Sequence, residues 1–259
     1  MRGALNEFRS CFDVHFYHLK VKIIPKKRRI EGVSNIHFLA TDSTKAIQVD
    51  LFKNMKISRI EWKSQELEFD RKHNAVMVHF PKTLQKDSLY QIAVHYQGSS
   101  VTGIGSFRDH GFHWERDGNN RKWIGLMAEH LGASHWYPCK DHLSDEPDSA
   151  YLQWEVPKKF DCFSNGKLQS VEEMEGGYLR HNYFVSNPID NYNIAFYLGN
   201  YKTKELEYTS PIDSATHIVK FHTLDYETEK DIDYTFSNVE DMLYFYEIAF
   251  GAIRIGTMD

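Results

Sequence analysis

Apolar and polar residues alternate with a period of two along most of the first 200 positions. Tyr17, Leu19, Val21 and Ile23 share one face, with His18, Lys20 and Lys22 on the other. Ile36, Phe38 and Ala40 repeat the pattern, then Ile47, Val49 and Leu51. Val76, Val78 and Phe80 form another set, and so do Tyr90, Ile92, Val94 and Tyr96. Leu152, Trp154 and Val156 follow, then Leu179, His181, Tyr183 and Val185. Side chains that alternate faces mark half-buried strands. Turn chemistry at Glu31-Gly32, His73-Asn74, Gln97-Gly98, Asn165-Gly166 and Gly176-Gly177 separates them. Many short strands between regular turns predict an all-β fold, an antiparallel β-sandwich.

Three stretches break the alternation. Residues 98–120 carry five glycines and few aliphatics, with His110 and His113, and read as long loops. Residues 130–149 also read as loop, dense in Asp, Glu and His. After about Asp225 the period changes: Ile232, Phe236, Val239, Leu243 and Tyr246 recur at helical spacing. That predicts one C-terminal amphipathic helix of roughly five turns, with Gly251 as a C-cap. The expected organisation is a β domain over residues 1–205 and a connecting strand and helix over 206–259.

Composition narrows the class. No window approaches the ~18 consecutive apolar residues of a spanning helix, so no membrane partner is expected. The net charge is -5, from 31 basic and 36 acidic residues, which argues against a nucleic-acid partner. The one basic run, Lys26-Lys27-Arg28-Arg29, reads as the polar tip of a strand connection, with a phosphate patch as the lesser reading. Cys11, Cys139 and Cys162 are odd in number and widely spaced, which fits neither a disulfide framework nor a zinc knuckle. The N-terminus has no apolar signal core, so the chain is expected in the cytoplasm, or in the periplasm or outside the cell if a leader precedes it.

Catalytic motifs are sparse. There is no H-E-x-x-H, no G-x-S-x-G, no P-loop and no i,i+4 histidine pair. Two clusters remain. Glu129, His130, His135, Asp141, His142, Asp145 and Glu146 place imidazoles and carboxylates close in sequence. They have the chemistry of a metal or acid–base site, but a self-capping polar loop is the weightier reading. Trp114, Trp123, Trp136 and Tyr137 are either a carbohydrate platform or, with more weight, core beneath the loops.

The order of certain motifs adds a resemblance. Trp136-Tyr137-Pro138-Cys139 leading to Asp145-Glu146-Pro147-Asp148 resembles the P-C-x-D-E-P-D segment of the aminopeptidase N family of zinc metallopeptidases. Ser164-Asn165-Gly166 and Tyr192 to Tyr201 resemble its next turn and its T-Y-L-x-A-F-x-x-G-x-F strand. Phe245-Tyr246-Glu247 to Phe250-Gly251 is similar to the F-Y-E-x-x-F-G that opens its catalytic domain, and Asp13 to Leu19 to its first strand. Each motif alone is weak; their shared order over nearly the whole chain is specific. Lys140 to Ser144 lengthens the P-C segment relative to the family, and the likeness stops after Gly251.

The resemblance implies a saddle-shaped, non-catalytic N-terminal domain that covers one side of a peptidase cleft. It implies no catalytic and no metal-binding residue in this chain, which alone is expected to be inactive. Zinc is expected in the catalytic domain, which would follow. The N-terminal domain of the family also helps hold the α-amino group of the peptide substrate, through a Q-x-E or Q-x-Q segment. By position these residues are Met127 and Glu129; Glu129 matches, and Met127 departs from Gln. A carboxylate suits an ammonium group because charge-assisted hydrogen bonds are the strong ones. The expected partners are peptide N-termini and the catalytic domain. The alternative is a stand-alone β-sandwich module binding a glycan, a peptide or a protein as scaffold.

Overall fold

The computed structural model describes residues 4–104, 107–128 and 131–252. Among them are eighteen strands. They begin with β1 (Phe12–Ile24), β2 (Arg29–Ala40), β3 (Thr44–Asp50), β4 (Met55–Trp62), β5 (Gln65–Glu66) and β6 (Phe69–Lys72). Next come β7 (Ala75–Leu84), β8 (Leu89–Gly98), β9 (Thr102–Ile104), β10 (Phe107–Arg116), β11 (Lys122–Met127) and β12 (Ser149–Pro157). The last are β13 (Asp161–Ser164), β14 (Lys167–Met174), β15 (Tyr178–Val185), β16 (Phe196–Gly199), β17 (Tyr201–Thr209) and β18 (Thr216–Leu224). The helices are α1 (Glu7–Ser10), α2 (Glu229–Phe236) and α3 (Val239–Phe250).

The strands form an eight-stranded sheet in the order β14-β15-β12-β1-β2-β8-β4-β5 and a five-stranded sheet in the order β13-β16-β11-β10-β9. A three-stranded sheet, β3-β7-β6, and the β17-β18 hairpin complete the set. The fold is all-β with sandwich-like sheets. Pairing is antiparallel except between β1 and β12, which run parallel from Phe16 opposite Ser149 to Lys22 opposite Glu155. The alternating positions fall where their period places them. Tyr17, Leu19, Val21 and Ile23 are buried, as are Ile36, Phe38, Val76, Val78, Leu152 and Trp154. One apolar cluster joins the eight-, five- and three-stranded sheets.

Two expectations need correction. The stretch 98–120 contains β9 and all of β10, not long loops. Its glycine at 111 has φ +101°, and a Cβ there would lie 2.2 Å from the Val101 carbonyl oxygen. The pairing of β9 with β10 shifts register between Phe107 and Gly111. Glycine there permits a bend and close backbone approach within a strand, which in sequence looks like loop punctuation. Glu31-Gly32 lies inside β2, and the turn is at Pro25 to Arg28. A Cβ on Gly32 would meet the Lys20 carbonyl oxygen at 2.6 Å and the Tyr96 ring at 3.1 Å, so the glycine makes room for a cross-strand tyrosine. The basic run does cap that strand connection.

The C-terminal helical region is two segments, α2 and α3, interrupted at Ser237-Asn238. Ser237 donates its hydroxyl to the Tyr234 carbonyl (3.0 Å). Such local side-chain bonding competes with helix continuation. Phe236 stacks on Phe221 at 4.0 Å, tying α2 to β18. The strand β17 runs through position 205 without a break.

Candidate functional site

Strand β11 carries the first predicted site residue. It pairs with β10 on one side and β16 on the other. Ile124, Leu126 and Ala128 point into the core, so Trp123, Gly125 and Met127 take the opposite face. Met127 is 41% exposed there. The chain then closes a turn in which Gly132, at φ +75°, donates its N–H to the Ala128 carbonyl (2.8 Å). Glu129 and His130 lie outside the described residues. Met127 is therefore placed at the exposed end of β11, and its pairing with Glu129 is not described.

The other members of the acidic and histidine cluster are wired into the fold. His135 is buried, and its Nδ1 donates to the Gly132 carbonyl (2.7 Å). Asp141 accepts from the Ser134 hydroxyl (2.5 Å) and the Ser134 N–H (3.3 Å). His142 bonds the Ser144 hydroxyl (2.7 Å), and Glu146 is exposed. Asp145 is 1% exposed and pairs with Lys140 at 2.7 Å. Lys140 also donates to the Phe12 carbonyl (2.6 Å), and Asp145 accepts the Val14 N–H (3.3 Å). The P-C-x-D-E-P-D segment thus stitches itself to the start of β1.

Burial dominates the charge state of Asp145. It raises the Asp145 carboxyl to about 6, against the opposing pull of Lys140. The geometry shows why: the second carboxylate oxygen of Asp145 is buried without a hydrogen-bond partner among the described residues. A second buried ion pair lies alongside. Arg9 and Asp50, both fully buried, meet at 2.5 Å. Asp50 also accepts from Gln48 (3.0 Å) and from the Asp141 N–H (3.2 Å). Burial raises its carboxyl too, opposed by Arg9.

Sequence reasoning did not single out Arg9, Asp50 or Asn191. Asn191 takes the Tyr137 hydroxyl on Oδ1 (2.9 Å) and donates Nδ2 to the carbonyls of Lys140 (3.2 Å) and Asp145 (3.3 Å). The signal for Arg9 was Asn6, whose side chain caps α1 by accepting from the N–H groups of Phe8 and Arg9, each at 3.1 Å. That cap fixes the helix that buries the guanidinium.

The aromatic cluster divides. Trp136 and Tyr137 are fully buried, 4.4 Å apart, with Trp154 5.7 Å beyond Trp136. These are core residues. Trp114 is half-buried and stacks on Phe112 at 5.4 Å. Trp123 alone of the four borders an aromatic hollow on the outer sheet face. All three cysteines are buried.

Among the described residues no three His, Cys, Asp or Glu side chains gather as a metal-binding group. Among the described carboxylates, Asp145 holds Lys140, Asp50 holds Arg9 and Asp141 holds Ser134. No helix among the described residues is long and apolar enough to cross a membrane.

The model of the peptidase M1 N-terminal domain matches residues 14–192. No curated protein sequence is similar enough to match. Among solved structures, an M1 zinc metallopeptidase mutant from Deinococcus radiodurans superposes with a TM-score of 0.77 at 17% identity. The match covers 94% of this chain and 55% of that one. The same mutant bound to a Tyr-Ser-Ala substrate gives the same TM-score, identity and coverage. The unmutated enzyme gives 0.76 at 17% identity, over 93% of this chain and 54% of that one. At that identity the likeness shows the fold alone. The chain spans about 55% of the length of these structures.

Proposed function

Because this chain belongs to the peptidase M1 N-terminal domain family, we propose that it is the non-catalytic β domain of a zinc-dependent aminopeptidase. Such an enzyme releases N-terminal amino acids from peptides. The β domain, residues 1–205, covers one side of the active-site cleft. Residues 206–259 connect to, and begin, a catalytic domain. Zinc belongs to that domain. The observation that carries the reading is the family match over residues 14–192.

Glu129 and Met127 are the residues proposed to face the peptide α-amino group. The exposure of Met127 at the end of β11 supports this, since it leaves that strand end open to a ligand. A carboxylate at Glu129 would select a free N-terminus over a blocked one, because an unpaired charge in a closed cleft is costly.

Sequencing the source DNA past codon 259 tests the reading. H-E-x-x-H with a distant Glu is expected there; a following region with no such domain overturns it. In the joined protein, Glu129→Gln is expected to raise KM for an aminoacyl anilide by about tenfold or more, the worth of a hydrogen bond to a charged group. The 259-residue chain alone is expected to release no amino acid from that substrate. A second reading, a free-standing scaffold, draws on the exposed apolar residues of α3, and the same DNA result separates the two.

A further inference from the structure

A cavity of about 580 Å³ lies between the outer face of the five-stranded sheet, the β17-β18 hairpin and α2. Ligand clefts are commonly of this size. Six rings line it: Trp123, Phe163, Tyr197, Tyr201, His222 and Phe236. Two glycines seat the first and fourth. A Cβ on Gly125 would lie 2.6 Å from the Trp123 ring, and one on Gly199 would lie 2.7 Å from Tyr201 and 3.1 Å from Trp123. Side chains at these strand positions would push both rings off the sheet. The indole Nε1 donates to the Tyr201 hydroxyl at 2.7 Å, which fixes the two rings together. Phe163 stacks on His222 at 3.6 Å and meets Tyr201 edge-on at 5.3 Å.

The polar part of the cavity is acidic. Glu227 and Asp231 line it beside the rings. Burial lowers the pKa of His222, so its imidazole adds no charge at neutral pH. Lys202 is turned to other partners, the Glu227 carbonyl (2.6 Å) and the Glu229 carboxylate (3.1 Å). The Thr223 hydroxyl, also in the lining, is buried without a hydrogen-bond partner among the described residues. Aromatic faces carry negative potential, and several of them around one space attract a cation. Carboxylates at the same opening add to that attraction.

We propose that this cavity binds a small organic ammonium ion. The proposal does not depend on the aminopeptidase reading. The cation enters over the Trp123 and Tyr201 faces, with Glu227 and Asp231 as counter-charges.

The test uses the whole 259-residue chain and choline as the probe, with its neutral carbon isostere 3,3-dimethylbutan-1-ol as control. Binding is followed by saturation-transfer NMR on the methyl protons. Choline is expected to saturate in the millimolar range, and the isostere to bind at least about fivefold more weakly. Trp123→Phe keeps a ring but weakens its potential, and is expected to lower choline affinity about two- to fivefold with the circular dichroism unchanged. Glu227→Gln is expected to weaken choline and leave the isostere unaffected. Equal binding of the two probes would overturn the proposal. So would absence of saturation by choline, or unchanged choline affinity in a folded Trp123→Phe chain.

Discussion

From Cys11 to Leu198 the buried apolar side chains run together into one core; past Tyr201 they do not. Tyr208, Phe221 and Ile232 are buried outside that core. On α3, Met242, Phe245, Ile248 and Phe250 are 50–80% exposed. Its one fully buried side chain among the described residues is polar: Glu247, which accepts the Tyr208 hydroxyl at 2.8 Å. The first region has apolar surface to spare and still encloses two ion pairs. The second leaves large apolar side chains of α3 in water. Burial of apolar area is the main force of folding, so the first region is a finished unit. The second has an open apolar face on α3.

The largest expected effect breaks the finished unit from inside. Asp50→Ala leaves the fully buried Arg9 guanidinium without its carboxylate, and arginine cannot shed its charge. Removing one partner of a buried pair costs about 3–5 kcal/mol. Urea unfolding should show that loss. The double change Arg9→Met with Asp50→Leu should recover most of it, since apolar replacements of similar volume are tolerated. A single variant as stable as the parent would mean that this pair is not closed off from water.

The second buried pair gives a pH test. Burial raises the Asp145 carboxyl from 3.8 to about 6. Between those values the folded chain holds a proton that the unfolded chain has released. Stability from this group is therefore full below about pH 4 and is lost as pH rises through 6. A rise of this size corresponds to about 3 kcal/mol at most. Asp145→Asn should flatten the stability profile between pH 4 and 7. An identical slope in parent and variant would assign it to other groups.

These two pairs also mark where sequence stops being informative. Period-two alternation located the core faces of β1, β2, β7, β8 and β12, because strand geometry forces every second side chain inward. It could not show that Arg9 meets Asp50, 41 residues away, or that Asp145 accepts the Val14 N–H, 131 residues away. A charged residue in a polar stretch has the same local signature whether solvated or enclosed. Gly32 and Gly111 misled for a related reason: what they make room for, a tyrosine ring and a carbonyl, comes from a neighbouring strand. Of the candidate site, the sequence motif supplied Met127 and Glu129 through resemblance. The aromatic hollow beside Trp123 needed Phe163, Tyr197 and His222 brought together from three other strands.

A smaller effect separates the two regions. Ile232 is 3% exposed and holds α2 against the hairpin. Ile232→Ala should cost about 2–5 kcal/mol of local stability, the usual range for emptying such a site. Because this group lies outside the main apolar cluster, hydrogen exchange should quicken in residues 201–250 and stay unchanged in β1, β2 and β12. Faster exchange throughout would show that the hairpin and helices fold as one with the sheets.

The smallest effect on stability falls on the open face of α3. Phe245 is 63% exposed and Phe250 80% exposed, and neither belongs to the main cluster. Changing both to Ser removes little buried area, so unfolding should shift by no more than about 0.5 kcal/mol per site. Solution behaviour should change more. Large exposed apolar patches drive association when their natural cover is missing, so light scattering should show less self-association in the double variant. In a protein that carries a following catalytic domain, the same two changes should destabilise, because the residues would then be covered. A double variant neutral in both settings would detach α3 from any domain boundary. A loss confined to the longer protein would locate the boundary on this helix.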